Sequence, residues 1–389
     1  MVLETAVNSD TSQQLQQQIR YAFNQKTAVC IVGGNSKAFY GRAVSAETLS
    51  VAEHRGVLNY EPTELVITAR AGTPLYEIEK ILDDNGQMLP FEPPAFSSEA
   101  TIGGTIACNL SGPRRAYAGA ARDFLLGCKI INGKGEILTF GGEVMKNVAG
   151  YDVSRLMAGA LGTLGVLLEV SLKVLPKAEM EATQLINSSH TDALDRIHQL
   201  SMTPLPISAS SFHDSVLRVR LSGAERAVEA AINSIGGDSM VNAGQYWHEL
   251  KEQRLDFFNS DKPLWRISLA SDIDSLGLPA DYENDDCLYE WGGALRWLKS
   301  HVPAHTIQST AAKLDGHATL FRGDEQHSIF QPLTPGLLRI HKNLKQAFDP
   351  ENILNPGKLY PELYSCLQTN ISSQFDNYLH INDAVSILR

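Results

Sequence analysis

The chain is short of cysteine, of long apolar runs and of positive charge, and each shortage excludes something. Its five cysteines, Cys30, Cys108, Cys128, Cys287 and Cys366, are odd in number and widely scattered, with no Cys-x-x-Cys pair. That spacing excludes a zinc site of common pattern and an iron–sulfur site carried on this chain. It fits a reducing compartment in which each thiol serves as a small buried hydrophobe. No uninterrupted apolar run reaches membrane-spanning length, and the polar, acidic residues 1–18 lack the basic-then-apolar order of a secretory signal. A cytoplasmic protein is expected, with any membrane contact peripheral, at the inner face of the cytoplasmic membrane and made through partners. Lys and Arg number 33 against 44 Asp and Glu, a formal net charge of −11, and no basic cluster occurs. A nucleic-acid partner is therefore not expected, because neutralising phosphates needs clustered cations.

What is present is an ordinary globular composition, 43% hydrophobic and 20% charged over 389 residues, long for one domain and comfortable for two. Glycine is dense in the first half, paired at 33–34, 103–104 and 141–142. Leu15, Ile19 and Phe23 share one helical face, so the chain opens with a helix. A strand follows at residues 28–32, and another at 65–68. "TPLYEIEKILDDNG" reads as a helix with Thr73 as its cap, Pro74 at its first position and Gly86 beyond its end. "FLLGCKIINGKGEILTFGG" reads as two strands joined at Asn132-Gly133-Lys134-Gly135. A helix over 153–160, a Gly-Thr-Leu-Gly turn and a strand over 166–175, stopped by Pro176, complete the first unit. Beyond it, amphipathic helices ("DALDRIHQL", "ERAVEAAINSI") alternate with short strands ("LRVRL", "LWRISLA", "CLYEW"), the pattern of a second α+β unit.

The strand at 28–32 breaks into "GGNSK", which reads as a loop built for an anion. Backbone N–H groups at 34–37 can converge on a phosphate, supported by the Ser36 hydroxyl and the Lys37 charge. The spacing of Gly33, Gly34 and Asn35 does not fit the Gly-x-Gly-x-x-Gly dinucleotide fingerprint, although Glu53 lies at a tempting distance. Nor does the lone Lys37 supply the Gly-Lys-Ser/Thr of a triphosphate loop. Which phosphate the loop serves stays open on these residues alone.

Three further stretches accompany it: "EPPAFSSEATIGGTIACNLSGPRRAYAGAARD" (92–123), "GGEVMKNVAGYDVSRLMAGALGTLGVLLEVSLKVLP" (141–176) and the closing "NPGKLY" (355–360). Together with "GGNSK" they resemble the flavin-binding domain of the vanillyl-alcohol oxidase and p-cresol methylhydroxylase relatives. More narrowly, through "LSGPRR", "MKNVAGYD" and "GHATLFRG", they resemble the second FAD-binding subunits of bacterial glycolate oxidases, over roughly residues 10–360. The resemblance implies an α+β fold: a two-subdomain FAD-binding domain of p-cresol methylhydroxylase type at 1–178, then an α+β substrate or cap domain with an antiparallel sheet at 179–346. A segment closing the flavin domain follows at 347–360. It implies FAD, held by Gly33, Gly34, Asn35, Ser36 and Lys37, by Thr101, Gly103, Gly104, Ser111, Arg115, Tyr117, Arg122 and Asp123, and by Gly162, Thr163, Leu164, Gly165 and Val166.

The resemblance further implies oxidation of glycolate, or D-lactate, to the oxo acid, beside a catalytic FAD subunit and an iron–sulfur subunit. An arginine fork suits the substrate carboxylate, with Arg266 and Arg322 as candidates, and His317 in "GHATLFRG" is the candidate base. Related D-2-hydroxyacid dehydrogenases carry a Ser-Gly-Glu-His-Gly segment and metal-holding histidines. This chain has "LDGHAT", so no metal is expected. That departure leaves a second reading open, a mainly structural or assembly subunit with a silent flavin site. A third, a peptidoglycan-precursor reductase of the same fold, is disfavoured by "MKNVAGYD" and "GHATLFR". The tail at 361–389 resembles the start of the iron–sulfur partner subunit, as if adjacent reading frames had run together.

Overall fold

A computed structural model describes residues 8–142, 152–278, 286–323 and 328–364. Most of "MKNVAGYD" and the tail from 365 onward lie outside the described residues. Helix α1 (Ser12–Gln25) buries Leu15, Ile19 and Ala22 against the parallel pair β1 (Val29–Val32) and β2 (Glu47–Ser50). The larger sheet of this half runs β3 (Val57–Glu61), β4 (Val66–Arg70), β8 (Val166–Lys173), β6 (Leu125–Ile131), β7 (Ile137–Gly141), all antiparallel. The hairpin expected at Asn132–Gly135 joins β6 to β7. Between β4 and β6 lie α2 (Leu75–Asp83), β5 (Gln87–Met88), α3 (Ile102–Cys108) and α4 (Arg115–Ala118). α5 (Val153–Met157) precedes β8, and β9 (Leu175–Pro176) pairs with β5.

Several sequence expectations shift here for identifiable reasons. Thr73 does not cap α2; its hydroxyl is engaged by Gly56, accepting from that N–H at 2.9 Å, and Pro74 takes the cap position with extended backbone. The helix expected over 153–160 stops at Met157, because Gly159, Leu161 and Gly162 all take left-handed backbone that an α-helix cannot use. "TIGGTIAC" contains a helix that its glycines disguised, capped by Thr101, whose side chain accepts from Gly104 N–H at 3.2 Å.

The second sheet has eight strands, in the order β13 (Asp238–Ser239), β10 (Met180–Asn187), β12 (Val216–Gly223), β11 (Ile207–His213), β15 (Cys287–Glu290), β16 (Leu295–Lys299), β14 (Leu264–Ser268), β17 (His317–Arg322). Every pair is antiparallel. Helices α6 (His190–Ser201) and α7 (Glu225–Ile235) cover one end of it through Leu194, Ile197, Val228 and Ala231. α8 (Ala243–Lys251) follows, and α9 (Ala304–Lys313) covers Trp265, Ile267, Ala318 and Leu320 at the other end. The opposite face of β14, β16 and β17 sets large apolar side chains beside Arg266 and His317. It packs Trp297 and Phe321, with Trp291, against Tyr40, Phe96, Cys108 and Leu110 of the first half.

α10 (Pro335–Phe348) returns to the first half, where Leu344 and Phe348 join its core. There Lys345 Nζ, 2% exposed, donates to Asp349 Oδ2 (2.6 Å), Thr163 O (2.7 Å) and Leu354 O (3.0 Å). The same carboxylate accepts from the N–H groups of Ile353 and Leu354. A buried pair this fully satisfied fastens the closing segment onto the 160–165 turn.

Candidate functional site

β1 delivers the chain to residues 33–37 at the floor of a cavity of about 320 Å³. No acceptor among the described residues takes the backbone N–H groups of Gly34, Asn35, Ser36 or Lys37. Asn35 sits at φ +56°, which turns successive amides toward one side. Lys37 is 8% exposed, and burial pushes its ammonium down from the usual lysine range. Its Nζ reaches Ser36 Oγ and Ala95 O at 3.4 Å each. Unpaired amides beside a dehydrated ammonium suit an anionic ligand.

The other walls come from α3, the 160–165 turn and the closing segment. Thr101, Gly103, Gly104 and Cys108 line one side, and Met157, Leu161, Gly162 and Gly165 another. The glycines act differently from a simple clearance of ligand space. A Cβ on Gly34 would run into the Glu99 carbonyl, one on Gly103 would lie 2.8 Å from Ala71 O, and one on Gly162 would lie 2.7 Å from Asn355 Nδ2. These side chains are absent because neighbouring chain passes too close, and that close passage shapes the cavity. Asn355 then ties two walls together, accepting from Ile31 N–H at 2.7 Å and donating to Leu161 O at 2.7 Å. Lys358 adds a second ammonium to the lining, its pKa also pushed down by burial.

Ten of the flavin-segment residues singled out in the sequence line this cavity: Gly33, Gly34, Asn35, Ser36, Lys37, Thr101, Gly103, Gly104, Gly162 and Gly165. Thr163 and Leu164 are buried behind the turn, and Val166 is buried in β8. Ser111 lies at a separate cavity of about 20 Å³ and accepts from Ala121 N–H. Asp123 caps its own turn through Ala120 N–H, with Arg122 3.9 Å away and largely exposed. Arg115 and Tyr117 turn toward the second sheet, Arg115 over the Trp291 ring and Tyr117 to Ser210 Oγ at 3.2 Å. Sequence reasoning missed Tyr40, Asn355 and Lys358 as lining residues. The quoted "NPGKLY" contained two of them, and its Asn-Pro-Gly turn chemistry was the available signal.

The second sheet presents two of its three candidates, Arg266 and His317, on one face. Arg266 of β14 pairs in register with Thr319, and Ser268 with His317, so Arg266 and His317 project to the same side. Burial pushes the Arg266 guanidinium down, opposed by Tyr40 and Glu290. Burial, then Arg266 and Arg115, pushes the His317 imidazole down. Arg322 stands apart, its guanidinium over Phe39 and Phe96 at 5.1 and 5.7 Å. Glu290, 5% exposed, accepts from Trp297 Nε1 at 2.6 Å, yet burial raises its carboxyl to about 7. The two halves are also bolted by Glu92, which takes Arg220 Nη2 at 2.8 Å and Arg114 Nε at 3.1 Å. Burial favours its neutral form, but these guanidiniums outweigh burial and hold its carboxyl low. Among the described residues no group of three or more His, Cys, Asp or Glu is placed to hold a metal ion.

Two family models match the chain: an FAD binding domain over residues 4–141 and an FAD linked oxidase C-terminal domain over 327–359. The glycolate oxidase subunit GlcE of Escherichia coli (strain K12) is 50% identical over 354 residues, 91% of this chain and 99% of the relative. The glycolate oxidase subunit GlcD of Bacillus subtilis (strain 168) is 25% identical, covering 78% of this chain and 77% of the relative. Among solved structures, p-cresol methylhydroxylase superposes with a TM-score of 0.65 at 14% identity, over 91% of this chain and 88% of that one. The shared architecture agrees with the α+β class and the flavin-domain type expected from the sequence. The unpaired amides and two lysines at the cavity fit the pyrophosphate of FAD.

Proposed function

The chain belongs to the family of the glycolate oxidase subunit GlcE, and on that premise we propose that it is an FAD-bearing subunit of a glycolate-oxidising complex. FAD is its cofactor. Residues 34–37, with Lys37 and Lys358, would hold its pyrophosphate, and the cavity walls at 101–108 and 160–165 would hold the rest of the cofactor. The substrate is a small 2-hydroxy acid, glycolate first and D-lactate second. Electrons leave through an iron–sulfur subunit, with a second, catalytic FAD subunit as companion. Any membrane association is peripheral and runs through those partners; no described helix is long and apolar enough to cross a membrane.

The observation that carries this reading is Tyr40. It lines the flavin cavity and packs its ring 5.4 Å from that of Phe321 in β17, on the face of the second sheet that carries Arg266 and His317. Cofactor cavity and cationic face therefore meet at one residue. Bound FAD supplies the two-electron acceptor for the hydride equivalent leaving the carbinol carbon. Arg266 orients the carboxylate, Arg322 standing apart over Phe39 and Phe96, and His317 takes the hydroxyl proton on an unprotonated ring nitrogen. Its lowered pKa keeps the imidazole neutral, as a base must be. The product is the 2-oxo acid.

Mixing the FAD-loaded chain anaerobically with glycolate tests this. Bleaching of the flavin's visible absorbance is expected, slowed about 10²–10⁴-fold in H317Q with flavin content unchanged. A loaded flavin that glycolate never bleaches, alone or beside its partner subunits, contradicts the proposal.

A further inference from the structure

Two guanidiniums from distant parts of the chain meet on one indole. Arg115 of α4 has its Cζ 4.3 Å from the Trp291 ring centroid, and Arg266 of β14 has its Cζ 5.0 Å away. Trp291 is 3% exposed and donates its Nε1–H to Gly112 O at 3.0 Å. It also takes a left-handed backbone, φ +54°, followed by Gly292 at +69° and Gly293 at +90°. Such a conformation disfavours a bulky side chain and persists only where its surroundings over-determine it. The chain thus holds this ring under the two guanidiniums against its own backbone preference.

Neither guanidinium has an ion-pair or hydrogen-bond partner among the described residues. The nearby carboxylates are committed elsewhere: Asp123 accepts from Ala120 N–H, and Glu290 accepts from Trp297 Nε1. Both arginines are partly dehydrated, since burial pushes each pKa down and Arg266 pushes Arg115 further. His317 is near enough to both for its own pKa to feel them. Asp123 and Glu290 act on these half-buried guanidiniums only at a distance, with no direct ion pair or hydrogen bond, and such charge suits an anion from solution. The cavity beside Arg266, bounded by Ser111, Glu290, Trp297 and Phe321, measures about 20 Å³, space for one water-sized group. A single ligand oxygen enters that space, and a compact, planar carboxylate leaves less bulk outside it than a tetrahedral phosphate does.

We propose that Arg115 and Arg266, positioned by Trp291, form an anion site that takes the carboxylate of a small organic acid, Arg115 in place of Arg322 completing the clamp. This rests on the 2-hydroxy-acid reading above and specifies which residues recognise the acid. The test titrates the FAD-loaded chain with oxalate, which carries no C–H bond to oxidise, by calorimetry, with inorganic phosphate as the second arm. Saturable oxalate binding is expected, weakened at least tenfold in R115Q and in R266Q and retained in R322Q, with phosphate binding far weaker. W291L also weakens oxalate binding and W291F restores it, an outcome that loss of packing alone does not give. Oxalate affinity unchanged in R115Q, whose side chain has no hydrogen bond to lose, overturns the proposal, as does phosphate binding as tightly as oxalate. Arginine-dependent oxalate binding on a flavin that glycolate fails to reduce leaves the anion site standing and removes the oxidation reading instead.

Discussion

Replacing Glu290 with glutamine removes a charge that the fold holds at a cost. The carboxyl is 5% exposed and its pKa is raised from 4.5 to about 7, with burial as the leading cause. Because the folded value lies above the unfolded one, the stability this group contributes is fully present below about pH 4.5 and lost as pH rises through about 7. A shift of about 2.5 units corresponds to roughly 3 kcal/mol, an upper figure for a buried group. Glutamine keeps the acceptor for Trp297 Nε1 at 2.6 Å and cannot ionise. E290Q and the parent chain should therefore match near pH 4.5–5, and the variant should gain steadily to about pH 8. Thermal unfolding followed by circular dichroism reads this as a Tm difference near zero at pH 5. At pH 8 the difference reaches roughly 4 °C if the whole chain unfolds as one unit, and more if the eight-stranded sheet melts separately. A difference that stays constant with pH, or a variant less stable than the parent at pH 8, refutes the reasoning. The latter result would mean that the ionised carboxylate is needed by Arg266 and Arg220 more than burial disfavours it.

Other outcomes follow from the cavity and its clasp. G34A drives a Cβ into the Glu99 carbonyl and should abolish flavin retention, while G244A, on an open helix face with nothing within 4 Å, should bind FAD normally and gain about 0.5–1 kcal/mol. Measuring the flavin-to-protein ratio of both purified variants checks this. Cys30 and Cys108 line the cavity, whereas Cys128 and Cys287 are buried. In a C366S background, alkylation at alkaline pH, needed because burial lifts Cys108 to about 11, should mark both lining cysteines in the apoprotein and neither after FAD loading, as read by mass spectrometry. K345M strands the Asp349 carboxylate, which is 0% exposed, and should cost about 3–5 kcal/mol in denaturant unfolding and loosen the closing segment.

Local chemistry was the legible part of this protein. The β1 strand with its "GGNSK" loop, the β6–β7 hairpin, α6 and α7 each follow from periodicity or turn residues within a short window. α3 was hidden because two glycines lower helix propensity, while its Thr101 cap and packing on Ala71 outweigh that deficit. Tyr40, Asn355 and Lys358 escaped for a different reason: their roles exist only after the closing segment crosses back to β1, where Asn355 accepts from Ile31 N–H. Glu290 and the Arg115–Trp291–Arg266 stack are products of contact between the two halves. No spacing along the chain encodes such contacts, and burial, which sets the Glu290 carboxyl, is invisible before packing.

The central claim is that the cavity floored by residues 33–37 binds FAD through its unpaired amides and two lysines. Equilibrium titration of the apoprotein with FAD, followed by quenching of flavin fluorescence, tests it most directly. The account predicts saturable binding, weakened by roughly tenfold or more in K37A and again in K358A, as expected for charged hydrogen bonds worth about 1.5–3 kcal/mol each. It also predicts that the double variant loses most of the salt dependence of the parent chain. An apoprotein that does not take up FAD, or one whose affinity is untouched by both substitutions, contradicts it.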